Sequence, residues 1–119
     1  MLIAVDFDNT CAEQGFPGVG QDVPLAAEVL RALSARGDRL VLWTSRGDRP
    51  LEQARLWCVR HDVALVAVNA HPSQDDVRKV AADLYIDDHA LGCPVCRPPG
   101  FRHDVVDWAA VARMLGVSL

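Results

Sequence analysis

The stretch "LIAVDFDNT", residues 2–10, opens the chain with an apolar run that ends in two aspartates, Asp6 and Asp8, at alternate positions. Residues 2–7 have the length and β-branched content of a buried strand. The stretch therefore combines two demands, burial along a core strand and delivery of charge at its end. An Asp-x-Asp pair alone is unspecific, because it also ends ordinary solvated strands and occurs in metal-dependent glycosyltransferases. Its meaning rests on the rest of the chain.

Outward from this strand, residues 24–36, "PLAAEVLRALSAR", set Leu25, Val29, Leu30 and Leu33 at helical spacing. Pro24 suits a first helical turn and Gly37 a helix end, where glycine tolerates the left-handed conformation. "RLVLWT" at 39–44 predicts a second strand, residues 50–61 a helix with Leu51, Ala54, Leu56, Trp57 and Cys58 inward, and "VALVAV" at 63–68 a third strand. A short helix around 74–82, acidic in its first turn at Asp75 and Asp76, precedes the strand "DLYI" at 83–86. Residues 104–115 predict a last helix burying Val105, Trp108, Val111, Ala112 and Leu115. This alternation implies an α/β fold, an open parallel sheet of about five strands with helices on both faces.

The 119 residues are enough for a single domain spanning 1–119, and half of them are hydrophobic, as in a globular protein. No apolar stretch approaches the ~18 residues that span a bilayer, and the first residues do not resemble a signal peptide, so the expectation is a cytoplasmic protein with no membrane partner. A net charge of −4 without a basic run argues against nucleic acid as a partner. Of four cysteines, only Cys93 and Cys96 in "CPVC" have ligand-like spacing. A zinc site needs two further ligands. His89 and His103 flank the pair, and the plainer reading is a turn holding two thiols, with metal binding and a disulfide both left open.

In open α/β sheets ligands bind beyond the carboxyl ends of the strands. The residues at those ends are Asp6 and Asp8, Thr44 and Ser45, Asn69, and Asp87 and Asp88. Carboxylates crowded on one edge repel unless a cation or shared protons neutralise them, and an oxygen-lined acidic site suits Mg²⁺.

In that order, "VDFDNT", "LVLWTSR", Lys79 and "LYIDD" resemble the four motifs of the haloacid dehalogenase superfamily. "IDDHALGCP" and the later "VDW" resemble a group of small, largely uncharacterised members and extend the similarity over nearly the whole chain. The resemblance implies a Rossmann-like fold and a Mg²⁺-dependent phosphatase that passes through an aspartyl-phosphate. It implies Asp6 as nucleophile, Asp8 as general acid and base, Thr44 as a donor to the phosphoryl group and Lys79 as a charge partner. Mg²⁺ would be held by the Asp6 side chain, the Asp8 carbonyl and Asp87, with Asp88 in support through water. Thr10 would order the loop after the nucleophile. Asn9 stands where the superfamily often has glycine, and asparagine tolerates positive φ.

Lys79 also stands out by itself, as the one lysine among 12 basic residues, just upstream of "IDD". A compact ammonium suits a crowded anionic site where a planar guanidinium does not fit. The intervals at 11–23 and 69–74 are too short for a cap domain, so the expected enzyme is capless, with a neighbouring subunit of a homo-oligomer as one means of cover. Expected substrate contacts to a phosphorylated ligand come from Thr10, Ser45, Arg46, Asn69, His71, His89 and the loop "EQGFPGVG" at 13–20. Trp43, Trp57 and Trp108 read as core.

Two rivals belong to other classes. A receiver domain has its phosphoacceptor after the third strand, where this chain has Asn69, and its lysine after the fifth. A non-catalytic, metal-binding relative remains a rival, although no catalytic residue is missing from the four motifs.

Overall fold

Leu2–Val5 forms β1, four buried residues at the middle of a parallel sheet. The computed structural model describes residues 1–75 and 78–119. After β1, strands β2 (Ala12–Gly15) and β3 (Gly18–Asp22) make an antiparallel hairpin. Helix α1 (Ala26–Ala35), strand β4 (Arg39–Leu42), helix α2 (Asp48–Arg60), strand β5 (Ala67–Val68) and strand β6 (Leu84–Ile86) follow. The chain ends with the antiparallel pair β7 (Val95–Cys96) and β8 (Val105–Val106) and helix α3 (Trp108–Leu115).

The sheet order is β5-β4-β1-β6 and every neighbouring pair is parallel. The chain moves outward from β1 through β4 to β5 and then returns to the other side of β1 with β6. The order reverses beside β1, which leaves a crevice at the carboxyl ends of β1 and β6. A strand buried on both faces needs a continuous apolar run, which "LIAV" supplies.

Local chemistry sets the helix ends. Pro50 lies in the first turn of α2, where its missing N–H is no loss. Asp107 caps α3 by accepting from the Ala110 N–H at 3.1 Å, and Gly116 closes it at φ 68°. Gly37, just past α1, takes φ 103°, the conformation expected of it.

Several expectations need correction. The parallel sheet has four strands, and the remaining pairs are small and antiparallel. Within "VALVAV" only Ala67 and Val68 pair with β4, while Val63 packs into the core. The described residues of 74–82 are not helical; Asp76 lies outside the described residues. Here Val80 is buried, and the Tyr85 hydroxyl donates to its carbonyl while accepting from the Ala82 N–H, which ties the segment down by side-chain bonds in place of a helical ladder. The last helix begins at Trp108 because Val105 and Val106 are used as a strand.

The helices also lie on one face. Buried residues of α1, α2 and α3 join a core with Ile3, Val5, Leu40 and Leu42. The opposite face offers Leu2 and Val41 to Val80, Trp43, Ala67 and Ala82. Strand alternation divides the two sets, and without a helix at 74–82 the second set stays small. Trp57 and Trp108 are core, each 1% exposed, whereas Leu56 faces outward at 43%. No helix of the described residues is long and apolar enough to cross a membrane.

Candidate active site

Ladder bonds that continue past the strands fix the backbone at the mouth of the sheet. The Asp6 N–H donates to the Ile86 carbonyl at 2.9 Å, Trp43 to Val5 at 2.8 Å and Asn69 to Leu42 at 2.8 Å. Beyond them opens a cavity of about 750 Å³, bordered by Asp6, Asp8, Thr44, Ser45, Asn69, Asp87 and Asp88 from all four strand ends. Asn9, Gln14, Phe16, Trp43 and His89 complete its wall.

Asp6 is the most perturbed carboxylate of this wall. Its pKa is pushed up to about 8, first by burial, then by the charge of Asp87, then by the neighbouring Asp88 carboxyl. Thr10 works in the opposite direction, donating from Oγ1 to Asp6 Oδ2 at 3.1 Å. Burial likewise raises Asp88, whose side chain is 7% exposed. Asp87, Asp88 and His89 each offer a ligand atom, and these atoms lie within 4.8 Å of one another. Asp87 Oδ1 also accepts from the His89 N–H at 2.9 Å.

Asp8 has a different environment, for its carboxylate is held by both ends of one guanidinium. Arg46 Nη2 donates to Oδ1 at 2.7 Å and Nε to Oδ2 at 2.9 Å. The same side chain gives Nη2 to the Gly18 carbonyl and Nη1 to those of Pro17 and Pro50. All five N–H donors of the guanidinium are thus used, and the group lies over the rings of Phe7 and Phe16, 5.0 and 5.5 Å from their centroids.

Four site residues therefore differ from expectation, Arg46, Thr10, Lys79 and His71. Arg46, expected at the substrate, is 3% exposed and braces Asp8 and the β2–β3 hairpin. Thr10 is fully buried and positions Asp6 without reaching the cavity. Lys79 does not border the cavity; its ammonium lies 5.0 Å from the Tyr85 ring centroid. Thr44 and Asn69 are brought together: the Asn69 Oδ1 accepts from the Thr44 N–H at 2.8 Å, while Thr44 Oγ1 accepts from the Arg46 N–H. Ser45 is exposed on the wall, and α2 is capped at Gly47. His71 bonds locally to Ser73, outside the cavity wall.

The loop "EQGFPGVG" forms the β2–β3 hairpin, which supplies Gln14 and Phe16 to the wall. A Cβ on Gly20 would meet the Glu13 carbonyl oxygen at 2.1 Å, so only glycine allows this approach of the strands. Glu13 is a structural carboxylate that sequence reading missed: it accepts from the backbone N–H groups of Arg102 and His103 and pins the loop before β8. Asn9 takes φ 58°, as expected of that position, and its Oδ1 accepts from the Gln14 N–H. Cys93 and Cys96 are free thiols, half-buried and raised by that burial.

Together these features define an α/β protein whose parallel sheet opens into an acidic cleft at the strand ends. No protein-family model matches the chain, and neither does any curated protein sequence. A solved structure of a conserved protein from Bacteroides thetaiotaomicron is similar, with a TM-score of 0.82 and 34% identity over 98% of this chain and 89% of that one. The chain belongs to the same family as that protein.

Proposed function

We propose that the protein is a Mg²⁺-dependent phosphomonoesterase of the haloacid dehalogenase type. The observation that carries this reading is the convergence of Asp6, Asp8, Thr44, Asp87 and Asp88 on one cavity, the residues that the sequence resemblance singles out. A second feature supports it. Arg46 is spent on Asp8 and Lys79 lies over Tyr85, so no lysine or arginine among the described residues borders Asp6, Asp87 and Asp88; the basic side chain there is His89, whose Nε2 lies 3.4 Å from Asp88 Oδ2. Crowded carboxylates without a lysine or arginine suit a hard divalent ion with oxygen ligands.

Asp6, Asp87 and the Asp8 carbonyl would hold the ion, with Asp88 behind them. The ion supplies charge neutralisation, allowing a carboxylate to approach a phosphoryl group. Asp6 would pass its proton through water to Asp8 and become the nucleophile, and its oxygen would form a bond to phosphorus as the ester P–O bond breaks. Asp8 protonates the departing oxygen. Asp8 then takes a proton from water as that water attacks phosphorus, and the bond to Asp6 breaks to release phosphate. Arg46 keeps both Asp8 oxygens oriented, Thr10 does the same for Asp6, and Thr44 borders the cavity on the side of β4.

The test is a panel of phosphomonoesters with Mg²⁺, run on wild type and Asp6→Asn side by side. Turnover by the wild type and its loss in the variant are expected. Near-wild-type activity in Asp6→Asn would sink the nucleophile assignment. A wild type that neither hydrolyses any ester nor binds beryllofluoride would favour the non-catalytic rival.

A further inference from the structure

Phe16 sits at the tip of the β2–β3 hairpin and is 60% exposed, yet it is not a loose surface side chain. The Arg46 guanidinium lies against its ring, and the carbonyls of Pro17 and Gly18, immediately following, each take an N–H from that guanidinium. Exposing a large aromatic ring costs the burial free energy that a core position would recover. This ring borders the cavity, with Trp43 also part of that wall. Trp43 belongs only partly to the small core on the second sheet face, so it too keeps surface for the cavity.

The polar groups of the wall narrow the choice of ligand. No lysine or arginine among the described residues borders the cavity, and the basic side chain that does, His89, lies 3.4 Å from Asp88. The wall also carries uncharged hydrogen-bonding groups, Gln14, Ser45 and Asn69. A flat ring carrying uncharged hydrogen-bonding groups fits such a wall, because stacking needs only a π-face and amides and hydroxyls serve neutral donors and acceptors.

We infer that the organic part of the substrate is a planar, uncharged aromatic ring that stacks on Phe16, so that the ester is a nucleoside or aryl monophosphate and not an aliphatic sugar or polyol phosphate. This rests on the phosphatase reading above and adds to it the leaving group. Phe16 is on this view a specificity-determining residue that takes no part in bond making.

Two matched pairs test it. Adenosine 5′-monophosphate and ribose 5-phosphate share the sugar phosphate and differ in the ring. Benzyl phosphate and cyclohexylmethyl phosphate have similar alkoxide leaving groups, one attached to a flat ring and one to a puckered one. For each pair, kcat/KM and the affinity of the Mg²⁺-loaded protein are measured in wild type and Phe16→Ala. The flat member of at least one pair should be preferred by about tenfold, the order of one base–aromatic stack, and the preference should collapse towards unity in the variant. A preference in the first pair alone assigns a nucleoside, and one in the second alone an aryl ester. Ratios near unity in both pairs, or a preference that Phe16→Ala leaves intact, overturn the inference while the phosphatase reading stands. If nothing is hydrolysed, the phosphatase reading fails, and the affinity ratios still decide whether Phe16 is a ring platform.

Discussion

Asp6 titrates near 3.8 as an ordinary aspartate and is pushed up to about 8 in the folded protein by burial and by its acidic neighbours. Between those values the folded state keeps a proton that the unfolded chain has released. Stability therefore falls as pH rises, by at most ~1.4 kcal/mol per unit, and the contribution is fully lost above the folded value. From about pH 5 to about pH 8 the metal-free protein should lose ~3–4 kcal/mol, a fall in Tm on the order of 10–15 °C for a chain of this size. Glu13, held at about 2 chiefly by its hydrogen bond from Gln21, and Asp22 and Asp38, also lowered, have the opposite sign. Their stabilisation is present above the ordinary carboxylate range and lost as pH falls below it, outside this window. The quantity to measure is the difference between wild type and Asp6→Asn in urea unfolding with chelator present. That difference should move in favour of the variant as pH rises. If it stays flat, Asp6 is not protonated in the folded protein and the account of the acidic cleft is wrong. Mg²⁺ provides a second arm, because binding at Asp6 must displace its proton. Its stabilisation of the wild type should grow with pH, and an equal effect at both ends would refute a site built on Asp6.

Two structural predictions concern the brace behind Asp8. Arg46→Met removes one buried partner from Asp8 and three carbonyls, so unfolding in denaturant should show a loss of ~3–5 kcal/mol, and a double-mutant cycle with Asp8→Asn should return a coupling above ~1 kcal/mol. Additive losses would mean that the two side chains do not depend on each other. Gly20→Ala drives a Cβ into the Glu13 carbonyl and should cost ~1–3 kcal/mol by thermal unfolding, more than Gly37→Ala, where nothing lies within 4 Å and only the left-handed backbone is strained. Equal losses would contradict the close approach of β2 and β3.

What could be read from the chain, and what could not, divides along the range of the interactions. β1, β4 and β6 are apolar runs, α1 and α2 repeat at helical spacing, and the polar residues that end the strands are adjacent in sequence to the runs that place them. Asp6, Asp8, Thr44, Asn69, Asp87 and Asp88 therefore reach one cavity as the strand-end rule requires. The misses depend on contacts across the chain. Arg46 looked like a substrate ligand because it follows Thr44, but its donors are claimed by Asp8 and by the hairpin carbonyls of Pro17 and Gly18, 28 to 38 residues earlier. The hairpin itself has glycines where strands usually carry β-branched residues, so its pattern reads as a loop, and only the close approach at Gly20 shows why. Residues 104–107 carry apolar positions that suit a helix, but pairing of Val105 and Val106 with β7 overrides that periodicity and leaves Asp107 as the cap. The same long-range tie gives the cleft its asymmetry. One guanidinium serves Asp8 and the hairpin together, so a substrate that presses on Phe16 would act on the residue assigned as acid and base, while burial, the charge of Asp87, Asp88, Thr10 and the Phe7 backbone set the proton of Asp6. On the proposed mechanism, recognition of the organic group and protonation of the leaving oxygen would share one element, the hairpin braced by Arg46, and formation of the nucleophile would depend on another.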